Sequence, residues 1–134
     1  MDVLLSIKPK YVEEIIRGNK KYEFRKIIFK EDATRVFIYS SSPVKRIVGV
    51  FFIGEITRDT PQNLWAEFRD LSGIDEQEFF NYFTGKDEGY AIEIDDLKIL
   101  DYPIDPKEHL SDFTPPQSFC YAPNYLTDFI NLDY

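Results

Sequence analysis

Apolar and polar positions repeat with two different periods along this chain, and the switches between them mark its elements. Val3 to Ile7 is a short apolar run broken only by Ser6 and closed by Lys8-Pro9, which predicts a buried strand. From Lys10 to Arg17, Val12, Ile15 and Ile16 fall at i, i+3 and i+4. That spacing predicts a helix with one apolar stripe and Glu13, Glu14 and Arg17 facing out. Pro9 suits its first position, where the missing N–H costs nothing, and Gly18 is placed to end it in the left-handed conformation. Over Lys20–Lys26 the period becomes two, so Tyr22 and Phe24 point to one face and Glu23 and Arg25 to the other. The aromatics can then enter a core while the charged pair faces a cleft or solvent; a solvated edge strand would carry the same pattern.

A polar connection through Lys30-Glu31-Asp32 leads to a strand over Arg35–Ser41, where Val36, Phe37, Ile38 and Tyr39 are continuous. Ser40-Ser41-Ser42-Pro43 reads as a turn. Val44 to Arg58 is a long β-prone run interrupted by Gly49 and Gly54, the kind of interruption that marks bulges and bends. Thr60-Pro61 opens a helical segment running through Leu64, Trp65 and Phe68 to Leu71, closed near Gly73. Asp75 is placed to cap a second, with Phe79, Phe80 and Phe83 as its apolar side and Gly85 as its stop. Gly89–Ile94 and Leu97–Ile104 read as two further strands, the second ended by Pro103 and Pro106. The tail carries Pro115-Pro116 and then Tyr125, Leu126, Phe129 and Ile130 at helical spacing. Five to six strands with helices between them, and glycines bending the longest strand, predict one α+β domain over residues 1–134. Its most economical form is a small, partly open β-barrel with helices packed outside.

Composition narrows the function classes. A net charge of −8 argues against sequence-blind nucleic-acid binding, which depends on Lys and Arg neutralising phosphates. The average hides an asymmetry. Residues 1–50 hold 11 basic against 6 acidic side chains, and residues 51–134 hold 5 against 18, so a basic face on the N-terminal half is compatible with an acidic whole. The first residues lack the pattern of a signal peptide, and no stretch approaches the ~20 apolar residues of a membrane helix. The lone Cys120 has no internal disulfide partner. Together these predict a soluble, cytoplasmic protein with no membrane partner. His109 is the single histidine, so neither a Cys/His zinc set nor a histidine-based triad assembles, and no metal or cofactor is expected.

Five segments, in order, resemble the ASCH family of the PUA-like superfamily. They are Ser6-Ile7-Lys8-Pro9; Gly18-x-Lys20-x-x-Glu23-x-Arg25; Ile38-Tyr39-Ser40-Ser41-Ser42-Pro43; Val48-Gly49-x-Phe51-x-Ile53-Gly54-Glu55; and Pro115-Pro116-Gln117-Ser118-Phe119. Together they span nearly the whole chain. The resemblance implies a PUA-like β-barrel with a cleft beside it, in a family associated with RNA and modified nucleosides. Similar bacterial members include an amidohydrolase acting on N4-acylated cytidine, and others have ribonuclease activity. In the amidohydrolase pattern a lysine follows the glycine, a threonine three residues later attacks, and a downstream glutamate assists. Lys20 matches the lysine, Glu23 stands at the threonine position, and the downstream acid falls near Asp70. A carboxylate cannot replace a hydroxyl nucleophile in amide hydrolysis, but it can act as a general base on water while Lys20 stabilises the oxyanion.

Three function classes follow. In a binding module for RNA, a nucleotide or a modified nucleoside, Lys8, Lys20, Glu23 and Arg25 line the cleft. Glu23 then accepts from an exocyclic amine, the cations serve phosphate or a base carbonyl, and Tyr39 or Tyr90 stacks on a ring. Ser40 adjoins this set, and Gln117 and Ser118 close one side of the cleft. In a small hydrolase or ribonuclease, Lys20 and Glu23 are the catalytic pair. In a protein-interaction domain, the Asp75–Glu78 cluster and Asp95-Asp96 dock a basic partner, although such charge more often only solubilises.

Overall fold

A computed structural model describes residues 1–30 and 32–122; the periodic tail from Tyr125 lies outside the described residues. The first strand, β1 (Asp2–Ile7), leads into helix α1 (Pro9–Arg17), with Pro9 at its start and Gly18 closing it at φ 82°. Val12 and Ile15 are buried, whereas Ile16 is half exposed at the margin of the stripe. Strand β2 is the short Tyr22–Arg25, and β3 is Arg35–Ser40. The long run becomes β4 (Arg46–Asp59). Helix α2 (Pro61–Phe68) follows, capped by the Thr60 hydroxyl, which accepts from Asn63 N. It gives way to a 3₁₀ turn over Arg69–Leu71, so the expected helix stops one turn early. Helix α3 (Glu76–Tyr82) is capped by Asp75.

The two strands expected at 89–94 and 97–104 are one 16-residue strand, β5 (Gly89–Ile104). The polar pair Asp95-Asp96 imitates a turn in sequence. It is instead the bend of a continuous strand, with Asp96 at φ 47° and several register shifts against β4. A sixth strand, β6 (Phe119–Tyr121), forms antiparallel to β1 from a segment with no alternation to betray it.

The sheet runs β2-β5-β4-β3-β1-β6, with β1 and β3 parallel and every other pair antiparallel. Its central strands are apolar on both faces because both faces are covered. Val3, Leu5, Ile7, Val36 and Ile38 pack with Phe51, Ile92 and the buried side of α1. Leu4, Phe37 and Tyr39 pack on the opposite face with Ile47, Val50, Leu100, Ile104 and Phe113. A third cluster seats α2 and α3 on β2 through Phe24, Leu64, Phe79, Phe83 and Ala91. Shifts of register in β4 and β5 curl the sheet into an open half-barrel. Across the seam Arg25 of edge strand β2 donates from Nη2 to Ser6 O at 2.9 Å, and from Nη1 to Ser118 O at 3.4 Å and Ser118 Oγ at 3.3 Å.

Candidate functional site

A cleft of about 660 Å³ opens where α1, β2 and α3 meet the end of β1. Its floor is charged and almost sealed: Lys20 is 3% exposed, Glu23 6% and Arg25 8%. The alternation of β2 explains the placement. Tyr22 and Phe24 turn into the α2–α3 cluster, which leaves Glu23 and Arg25 facing the other way. Glu23 Oε2 accepts from Arg25 Nε at 3.1 Å and from Nη2 at 2.6 Å, and Glu23 Oε1 stands 3.7 Å from Lys20 Nζ.

Lys20 precedes the strand proper and forms an isolated bridge with Ser72. Its Nζ donates to Ser72 O at 2.8 Å and lies over the rings of Phe24 and Tyr11, 4.9 and 5.6 Å from their centroids. Burial lowers the pKa of this ammonium below its ordinary value, and the neighbouring Glu23 carboxylate opposes that shift. Room for the side chain comes from Gly73 at φ 63°: a Cβ there would lie 2.3 Å from Lys20 Cβ.

Helices complete the walls. Tyr11 of α1 donates its hydroxyl proton to Glu78 Oε2 of α3, and Lys10 Nζ reaches the same oxygen at 2.6 Å. These bonds, Lys10's first, hold the Glu78 carboxyl down at about 2, while burial and the bond to Glu78 push the Tyr11 hydroxyl above its ordinary value. A smaller hollow of about 310 Å³ lies against the same pair. Tyr82 and Asn81 line the large cleft, and Lys26 Nζ sits 4.7 Å from the centroid of the Tyr82 ring.

Of the residues singled out from sequence, Lys8, Lys20, Glu23, Arg25 and Gln117 line this cleft, and Ser118 touches it through Arg25. Three fall elsewhere. Tyr39 is 3% exposed, tilted against Phe113 at 5.6 Å in the core of the opposite sheet face. Ser40, the last residue of β3, is buried, and Ser41, the first residue of the turn that follows, lines the cleft in its stead. Tyr90 of β5 pairs with Arg25 of β2 and is half-buried, but does not line the cleft. Asp70 is exposed on the 3₁₀ turn. Within the acidic run Asp75–Glu78, Asp75 caps α3 and Glu78 bonds Lys10 and Tyr11. Asp95-Asp96 occupies the bend of β5. Tyr11, Ser72 and Tyr82 escaped the sequence reading, which took Gly73 only as a helix stop and Glu78 only as part of an acidic cluster. The one available signal was Tyr82 lying three residues beyond Phe79, on the same side of α3.

A curled six-stranded sheet wrapped by helices, with a polar cleft at its seam, defines a PUA-like α+β half-barrel. The ASCH domain profile matches residues 5–101, and the chain belongs to the ASCH-domain family. An ASCH domain-containing ribonuclease of Zymomonas mobilis is 28% identical over 127 residues, which is 90% of this chain and 83% of that protein. The crystal structure of ASCH from Zymomonas mobilis superposes with a TM-score of 0.89 at 27% identity, covering 99% of this chain and 96% of that one. The N-terminal domain of Staphylothermus marinus McrB, 9% identical with a TM-score of 0.61, covers 99% of this chain and 94% of its own and shares the fold alone. Among the described residues no helix is long and apolar enough to cross a membrane, and no cluster of His, Cys, Asp and Glu has the makings of a metal site.

Proposed function

We propose that the cleft binds single-stranded RNA, or a single nucleotide or modified nucleoside, with Lys20, Glu23 and Arg25 as its floor and Lys8, Gln117 and Ser118 at its side. The observation that carries this reading is the buried Lys20–Glu23–Arg25 cluster beneath about 660 Å³ of open volume. That volume falls within the range of small-ligand sites. A protein of net charge −8 has little general attraction for nucleic acid, so recognition has to be local. The exposed Lys8, and Lys26 on the Tyr82 ring, supply local positive charge at the cleft.

Fluorescence anisotropy with short labelled single-stranded RNAs tests the proposal. Binding is expected to weaken with salt, and Lys8→Ala and Lys26→Ala are each expected to flatten the log–log salt slope by about 0.7. Affinity unchanged by both substitutions together would refute the assignment of this face.

A ribonuclease reading has separate support, because the Zymomonas relative bears that name and matches over nearly the whole chain. Lys20 is the residue on which cleavage would turn, since its burial eases loss of the ammonium proton. Under this reading Lys20→Met abolishes RNA cleavage measured on denaturing gels even at RNA concentrations that saturate binding by anisotropy. Equal cleavage by the variant would assign the activity elsewhere.

A further inference from the structure

We infer that the cleft receives a nucleobase edge-first, with the phosphates left at its mouth, and that its floor accepts adenine, cytosine or uracil and rejects guanine. This rests on the RNA-binding reading above and specifies the orientation and chemistry of the bound group. Arg25, whose guanidinium would ordinarily be the fork for a phosphate, is already committed: Nε and Nη2 to Glu23 Oε2, Nη2 also to Ser6 O, and Nη1 to Ser118. A phosphate entering the floor would also meet the Glu23 carboxylate. With the guanidinium committed and the carboxylate beside it, the depth of the cleft offers phosphate no free fork of donors.

What the floor does present is one acceptor beside one donor. Glu23 Oε1 pairs with Lys20 Nζ at 3.7 Å and is clear of Arg25, whose bonds both go to Oε2, and Glu23 lines the cleft. Lys20 Nζ, 3.7 Å away, donates to Ser72 O and has two further protons. An edge with a ring nitrogen or carbonyl next to an N–H matches this pair. Adenine offers it through N1 and N6, cytosine through N3 and N4, and uracil through O4 and N3. Guanine offers O6 and N1 as well, but its N2 amine is a second donor. With Oε2 occupied by Arg25, that amine faces a guanidinium and stays unpaired. Tyr82 lies along the same cleft, giving the ring an aromatic surface.

The experiment is displacement of a labelled single-stranded RNA by adenosine, cytidine, uridine, guanosine, ribose 5-phosphate and inorganic phosphate, at 50 and 200 mM salt. The first three are expected to compete with little salt dependence, and guanosine at least about tenfold more weakly, as one mispaired edge costs. The two phosphates are expected not to compete. Glu23→Gln should weaken the nucleosides by roughly tenfold and leave the salt slope of the oligonucleotide intact, with a thermal melt to confirm folding. The wild-type panel decides the matter if that variant does not fold. Competition by ribose 5-phosphate or phosphate, or by guanosine on a par with the others, overturns the inference. So does an oligonucleotide that binds while no nucleoside displaces it, an outcome that leaves RNA binding standing. An oligonucleotide that does not bind overturns both.

Discussion

Lys20 occupies an almost sealed position because residue 73 has no side chain. Gly73→Ala places a methyl group 2.3 Å from Lys20 Cβ at a left-handed φ, so it should cost about 1–3 kcal/mol of unfolding free energy in urea titrations and displace the ammonium. The lysine itself leaves a signature in pH. The unfolded chain keeps this proton up to the ordinary value of 10.5, whereas the folded chain releases it at lower pH. Between the two the unfolded state binds more protons, so this group makes stability rise with pH through that window. Lys20→Met is expected to remove that component of the rise, and an identical alkaline profile in both proteins would show that the ammonium is not penalised by burial. Arg25 is a different kind of residue. Arg25→Met leaves the buried Glu23 carboxylate without its main partner and should cost about 3–5 kcal/mol by the same titration. Legibility in the sequence follows from these environments. Glu23 and Arg25 were visible because β2 alternates strictly. Lys20 was visible only through family likeness, since its burial depends on a glycine some fifty residues away. Tyr39 shares the apolar run of β3 with its neighbours, and nothing in such a run tells which face holds the site.

At the scale of elements, the walls of the cleft are tied together by the contact of α1 with α3. Glu78, held down to about 2 first by Lys10 and then by Tyr11, is ionised well below the ordinary carboxylate value of 4.5. Its contribution is present above that ordinary value and is lost as pH falls through about 2. Glu78→Gln should therefore flatten the acid side of the stability–pH curve in that window, with little change at neutral pH in its slope. The caps are simpler. Thr60→Ala removes the hydroxyl that accepts from Asn63 N and should cost about 1 kcal/mol in the same titrations without altering ligand affinity, because α2 does not line the cleft. Helices and most strands were legible from periodicity, proline and glycine. The merger of two expected strands into β5 was not, because a positive φ at Asp96 lets two acidic residues bend a strand where sequence shows a turn. Nor was β6, three residues long and defined by pairing with β1 rather than by its own pattern.

For the whole molecule, the acidic excess lies in residues 51–134 and the basic excess in residues 1–50, which provide most of the cleft. The general α+β architecture was legible at this scale because a curled sheet needs bulges, and Gly49 lies at one of the register shifts of β4. The joining of edge strand β2 to Ser6 and Ser118 was not, because it runs through one guanidinium and two segments far apart in the chain. That guanidinium fastens the seam of the half-barrel and also clamps the carboxylate on the floor of the cleft. Drift in a descendant lineage is thereby channelled. A change at Arg25 weakens the seam and unpairs the floor before any new specificity can be selected, while the exposed Lys8, Asn81 and Gln117 are free to vary. Paralogues that recognise different ligands should therefore keep a common floor and diverge along its rim.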